Sequence, residues 1–229
     1  MKRRGFTLIE MVSAAFLFAL LGLIAFAVLK WGVGGWGYGK VRMEAQQNAR
    51  KMTDVIKSEL ATGARVNVLR TNNPPPVIRP QPNGASELNE VVFFGANRTA
   101  KDMDTSNIAN FKLVRYAAIN MDSTPPDANA LIREEYTMVL NGDAIDGLTA
   151  SGTSNPDFTI DYSKMTRTKQ DVLIHLKPRE RLTFTVAHTA LDYRTYSVDV
   201  TVTQHLNGDP TQKAAVKQIK DSVTLADMM

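Results

Sequence analysis

Cysteine is absent from the 229 residues. That excludes thiolate chemistry, Cys-ligated zinc and a disulfide scaffold, and it leaves the compartment open because exported domains also fold without disulfides. Histidine is scarce: His175, His188 and His205 sit singly on strand-like segments, with no HExxH spacing to bring two imidazoles onto one helix face. No GxSxG elbow and no phosphate-cradling glycine loop is present. The stretch DMDTSN, Asp102 to Asn107, begins like a calcium loop at its first, third and fifth positions. It lacks the glycine at the sixth, and Leu113 stands where the twelfth-position glutamate is needed. Asn141, Asp143 and Asp146 are better explained by a turn. We expect no catalytic residues, no metal site, no cofactor and no enzyme.

A basic stripe is missing as well. The formal charge is +4, yet Lys2, Arg3 and Arg4 supply three of the 27 basic residues, so a chain beginning at Phe6 would carry 24 basic and 23 acidic side chains. The rest of the charge is mixed and spread, unlike a surface that neutralises phosphates, which argues against nucleic acid as a partner. The length suits one folded domain with an appendage, or two small domains, and 44% hydrophobic with 22% charged residues is ordinary for a globular chain.

What the sequence does have is one long apolar run. Phe6 to Leu29 is 24 residues with a single charge, Glu10. As a helix it would extend about 36 Å, enough to cross a hydrocarbon core of about 30 Å with some tilt. Thr7 and Ser13 can hydrogen-bond back to the helix. Trp31, Trp36 and Tyr38 follow where an interfacial aromatic belt would lie, beside Lys30 and Lys40, and the preceding basic residues predict a cytoplasmic start with everything after Lys40 exported. A carboxylate at mid-membrane costs roughly 2.5 to 3.5 kcal/mol even on mild insertion scales. Glu10 therefore needs a partner, or the segment does not sit in a bilayer. A cleaved secretory signal ending at Ala25-Phe26-Ala27 is one rival reading, and an uncleaved anchor is another. Against the signal stand the length of the run, its acid, and the aromatic residues beyond the proposed cut.

Gly5-Phe6-Thr7-Leu8-Ile9-Glu10, after a short basic leader and before an unbroken apolar helix, resembles the class III signal of type IV pilins and pseudopilins. The resemblance implies that a prepilin peptidase cuts between Gly5 and Phe6 and that the new amino terminus at Phe6 is methylated. It also implies that Phe6, Thr7 and Glu10 make filament contacts, with the Glu10 carboxylate meeting the Phe6 ammonium of a neighbouring subunit. The physics is compatible, since a charge pair formed between subunits in low dielectric is far stronger than in water and serves register more dependably than net stability. A plainer role for Glu10 is a helix-start charge that snorkels to the headgroups.

Trp31 to Gly39, WGVGGWGYG, holds five glycines in nine residues, each costing about 1 kcal/mol in a helix relative to alanine, so helix should be weak there. Beyond it Ala45, Ala49, Met52, Ile56 and Leu60 recur at spacings of four, three, four and four, one helical stripe widened by Val55 and closed by a candidate C-cap at Gly63. Such a stripe points to core packing. Asn72 to Ser86 contains five prolines and reads as an extended surface connection.

After residue 88 the pattern turns β-like. Candidate strands are Glu90 to Phe94, Phe111 to Ile119, Leu131 to Tyr136, Asp171 to Leu176, Arg181 to His188, Tyr193 to Leu206 and Ser222 to Leu225. The clearest alternation puts Tyr196, Val198, Val200, Val202 and Leu206 on a dry face. Asn141-Gly142 and Asn207-Gly208 read as turn tips, and residues 147–170 as a surface loop. Val114, Tyr116, Ile119, Asn120, Leu131 and Arg133 stand near a strand–turn–strand pattern that is similar to the J-type minor pseudopilins of type II secretion and the W-type minor pilins. Ala117-Ala118 delays Ile119 by one residue relative to that pattern, and DSVTLADMM matches their closing strand only loosely.

The expected protein is α+β: a leader at 1–5, a transmembrane helix at 6–29, a glycine/aromatic hinge at 30–40, an amphipathic stem helix at 41–63 and an exported β-rich head at 64–229. Its long N-terminal helix would pack on antiparallel sheet. The resemblance implies a structural, minor subunit of a type II secretion pseudopilus or type IV pilus-like filament, single-pass in a bacterial inner membrane. Its partners would be other pilin or pseudopilin subunits, the prepilin peptidase, the inner-membrane assembly machinery and membrane lipid. A secreted or anchored binding module without a filament role is the alternative.

Overall fold

A computed structural model of the chain describes residues 7–61, 77–78, 87–96, 111–122, 128–141, 144–151, 157–188, 195–206, 211 and 214–224. Two compact units, residues 1–41 and 42–229, share one α-helix, α1 (Leu8–Ala61, 54 residues). The helix runs unbroken through 31–39, where the glycines predict weakness. Its last turn ends at Ala61, and the expected cap Gly63 lies outside the described residues.

The strands are β1 (Val77–Ile78), β2 (Glu87–Ala96), β3 (Phe111–Ile119), β4 (Ala130–Thr137), β5 (Leu140–Asn141), β6 (Ala144–Ile145), β7 (Leu148–Ser151), β8 (Asp157–Ile160), β9 (Thr166–His175), β10 (Arg181–His188), β11 (Thr195–His205) and β12 (Ala214–Thr224). They form a five-stranded sheet in the order β1-β2-β3-β4-β9, a three-stranded sheet β10-β11-β12, and two small hairpins, β5-β6 and β7-β8. Every pairing is antiparallel. The architecture is α+β, one long N-terminal helix packed on antiparallel sheets, as the sequence predicts. Val77–Ile78, inside the proline-rich stretch, forms only a two-residue edge strand, the one sheet position that suits such a sequence. Asn141 pairs with Ala144 across the first expected turn tip, while Asn207-Gly208 lies outside the described residues.

The helical stripe is the centre of the larger core. Ala45, Ala49, Met52, Ile56 and Leu60 are all buried, against Val91 and Phe93 of β2, Val114 and Tyr116 of β3, and the dry faces of β10 and β11. The alternation in β11 holds: Tyr196, Val198, Val200 and Val202 are buried, and Gln204 continues their face. Two lysines of the stem reach the flanking strands. Lys57 pairs with Asp221 on β12, and Lys51 Nζ donates to the Leu173 carbonyl at 3.2 Å. Leu173 is the residue skipped at one of the two places where the β4–β9 register shifts, a bulge that interrupts the ladder.

Residues 147–170 are not a surface loop. They contain β7, β8, a 3-10 turn (Tyr162–Lys164) and the start of β9, because Leu148, Ile160 and Met165 bury themselves with Ile145 on the face of the five-stranded sheet opposite the stem. Gly147, at φ 83°, turns the chain there, and a side chain would put Cβ 2.7 Å from the Asp161 carbonyl. The centre of that sheet, β2 to β4, is therefore dry on both faces, whereas the edge strand β9 is largely exposed. Val91 and Phe93 point to the stem, Val92 and Phe94 to the outer layer, which is why β2 reads as an uninterrupted apolar run.

Charge is also buried in the outer layer. The Arg115 guanidinium donates to Glu90 Oε1 at 2.8 Å and to Glu134 Oε2 at 2.6 Å, under the Tyr162 ring, whose centroid lies 4.7 Å from Cζ. Tyr136 and Arg167 each donate to Glu134 at 2.8 Å. Burial alone would raise the Glu134 carboxyl, but the bonds from Arg115, Tyr136 and Arg167 outweigh it and hold the group below its ordinary value. Glu135 is likewise lowered: burial opposes the change, and Lys112 and Arg133 prevail.

Two outcomes are expected in urea titrations of the detergent-solubilised chain followed by circular dichroism. Ile56→Ala, which empties a fully buried site, should cost about 3 kcal/mol, whereas Lys57→Ala should cost less than about 1 kcal/mol because its ion pair is solvated. Equal losses would show that the stem is held by charge and not by packing. Because the folded carboxyls of Glu134 and Glu135 are depressed, their contribution is complete above the unfolded value of 4.5 and is lost as pH falls through and below it. Glu134→Gln should flatten that acid slope and, by leaving Arg115 half-paired, cost about 3 kcal/mol at pH 7. A slope identical to that of the unmodified chain would remove Glu134 from the account.

Candidate functional site at the amino terminus

The first turn of α1 brings together two of the four residues singled out at this end. Thr7 occupies the N-cap and Glu10 the third helical position, and the two satisfy each other. The Thr7 backbone N–H donates to Glu10 Oε2 at 2.8 Å and its hydroxyl donates to the same oxygen at 2.9 Å. The Glu10 N–H returns to Thr7 Oγ1 at 3.4 Å and to the Thr7 carbonyl at 3.1 Å. This is a capping box, which covers helix N–H groups that have no intrahelical acceptor and places negative charge at the positive end of the dipole. The T-x-x-E spacing of Thr7 and Glu10 is its signal in the sequence, and it agrees with the plainer role of Glu10 as a helix-start charge. Ser13 Oγ donates to the Ile9 carbonyl at 2.7 Å, as expected. Gly5 and Phe6 lie outside the described residues.

Both contacts from Thr7 use Oε2. Among the described residues, Glu10 Oε1 accepts no hydrogen bond and the side chain is exposed. The apolar residues that follow, from Leu8 and Ile9 through Phe16, Phe18 and Phe26 to Leu29, are exposed too. The helix contains an 18-residue window of mean hydropathy 2.7, none of it buried within the protein, and is long and apolar enough to cross a membrane. A helix apolar all round, with no protein partner for its surface, suits lipid or other helices of the same kind.

The head offers a second concentration of ionisable groups. A cavity of about 430 Å³ opens between the stem and the five-stranded sheet, bordered by Glu59, Phe93, Arg133, Glu135 and Asp171. Its charges are matched to one another. Arg133 lies 2.8 Å from Glu59, 2.6 Å from Glu135 and 3.8 Å from Asp171, and the Tyr116 hydroxyl donates to Glu59 at 2.8 Å. Burial and the Glu59 carboxylate push the Tyr116 hydroxyl up, so it stays protonated and donating. The arrangement clasps the end of the stem to β3 and β4 and leaves no group reaching for a ligand. Among the described residues no set of three or more His, Asp or Glu side chains is placed to hold a metal ion. His175 is half-exposed, 3.7 Å from Asp122, and His205 is partly buried on β11. The side chain of His188 and the stretch Asp102 to Asn107 lie outside the described residues.

Residues 1–26 match the family model of the prokaryotic N-terminal methylation motif. No curated protein and no solved structure matches the chain. The matched segment covers the expected leader and cut, Thr7, Glu10 and most of the apolar run, and it stops well before the sheets. The chain thus carries a class III signal that runs into a long N-terminal apolar helix, an arrangement consistent with a pilin-like protein.

Proposed function

We propose that this protein is a structural, non-enzymatic minor subunit of a type II secretion pseudopilus or type IV pilus-like filament. The observation that carries the reading is the methylation-motif match at residues 1–26, joined to a helix whose apolar surface is unburied among the described residues. A class III signal implies a prepilin peptidase as processing partner and other pilin-like subunits as assembly partners, and the signal with its apolar helix fits anchoring in a bacterial inner membrane.

The finer steps follow from the residues at the site. Cleavage after Gly5 exposes the Phe6 amine, which is then methylated. The subunit is stored as a single-pass membrane protein with its start in the cytoplasm and its head exported. In that state Glu10 is not a bare charge, because Thr7 holds one of its oxygens. On assembly the open Oε1 receives the Phe6 ammonium of a neighbouring subunit, so register is set without dismantling the cap. The glycines between 32 and 39 make residues 30–40 the least costly part of α1 to unwind, at about 1 kcal/mol per glycine relative to alanine, and we assign the hinge there. The strand–turn–strand likeness around Val114, Tyr116 and Arg133 favours the J-type or W-type minor subunits among the alternatives.

N-terminal sequencing of the mature chain tests the processing step. A start at Phe6 is expected, a start at Val28 would indicate a secretory signal, and retention of Met1 a plain anchor. Glu10→Val should leave membrane insertion intact while lowering recovery with partner subunits in a pull-down about tenfold. Thr7→Val, which removes only the cap hydroxyl at a cost of about 1 kcal/mol, should still assemble. Undiminished recovery of Glu10→Val would end the pairing account.

A further inference from the structure

The turn between β9 and β10 is built at a cost to its own backbone. Pro178 has its φ locked near −65° by its ring, and Arg179 follows at φ 70°. The Glu180 N–H closes the turn on the Lys177 carbonyl at 3.0 Å. Proline at the second position and a positive φ at the third define a type II turn, whose third position favours glycine or asparagine because a side chain there is strained. An arginine occupies it. Backbone strain of this kind points toward function when something on the surface is gained by it.

The gain is a uniformly positive surface. Lys177, Arg179 and Arg181 are exposed, while the single acid in the turn, Glu180, is turned inward and 3% exposed. The Glu180 carboxylate accepts from the Lys177 N–H and from Gln204 Nε2, each at 3.1 Å, so it serves as the anchor of the turn and does not neutralise the surface. Arg179 forms no ion pair with any described residue. Its guanidinium is a planar fork carried on a turn stiffened by proline and pinned from beneath, a geometry suited to a carboxylate.

We infer that this turn is a docking point for a carboxylate-bearing segment of a partner protein, with Arg179 as the principal contact and Lys177 as support. Anionic lipid is the weaker candidate, since recognition of a membrane surface uses clusters of roughly four to eight basic residues, more than this turn presents. The proposal stands whether or not the chain enters a filament.

The test uses the full-length chain in an uncharged detergent, with a fluorescent peptide of alternating Glu and Gly as probe. Arg179→Gly removes the guanidinium and relieves the strain together, so its melting temperature should stay level or rise while peptide affinity falls about tenfold. Lys177→Gln should give a smaller loss. A structural role alone would leave the affinity of Arg179→Gly unchanged, and that result, or failure of the unmodified chain to bind the peptide, overturns the proposal. Displacement of the peptide by inorganic phosphate well below the concentration of acetate needed, at matched ionic strength, would assign the turn to a phosphate-bearing surface and overturn it too.

Discussion

A charge that leaves water must be met at close range, and this constraint organises most of what is distinctive in the protein. The penalty for an unmatched buried ion is several kcal/mol, comparable to the whole stability of a domain. Arg115 meets it with Glu90 and Glu134, Arg133 with Glu59 and Glu135, and Glu180 with two neutral donors. Glu10, exposed in this structure, accepts two hydrogen bonds from Thr7 within its own first turn. Such pairs add little net stability over apolar side chains of the same volume, but they penalise every arrangement that separates them. Geometry follows from them even where energy does not.

The five-stranded sheet shows the consequence. On its inner face Arg133 joins β4 to the stem through Glu59, beside a core assembled around Met52, Ile56 and Leu60. On its outer face Arg115 would be an open charge on a strand surface if β5 to β8 and the 3-10 turn did not cover it, and Tyr162 from that turn both stacks over the guanidinium and hydrogen-bonds Glu90. The outer layer and the buried ion pair require each other. Apolar packing decides that the layers form, and the two arginines decide how they are aligned.

The stem was legible because five apolar residues at helical spacing leave few other solutions, and β11 because its alternation is long and strict. The outer layer escaped the same reading for a physical reason. Its strands run for two to four residues, too few for a period of two to show, and their stability comes from burial against β2 and β3 that no local pattern records. β9 and β12 begin earlier than the expected Asp171 and Ser222: Thr166 to Gln170 has no apolar residue and is recruited by pairing with β4, and Ala214 to Asp221, whose apolar residues alternate irregularly with lysines, by pairing with β11. At the amino terminus the capping box rests on a four-residue span, Thr7 to Glu10, that an apolar run with one acid does not by itself single out.

The sequence by itself determined the class III signal, the apolar helix, the stripe that docks the stem and the α+β class, because each rests on local order: a motif, a run or a period. Only the tertiary structure decided that the centre of the sheet is covered on both faces, that Arg115 and Arg133 take opposite sides of it, and that Glu180 turns inward while Arg179 is held outward in a strained turn. Those outcomes depend on contacts between residues far apart in the chain. Burial, and the partner a buried charge must find, exist only once the layers have come together.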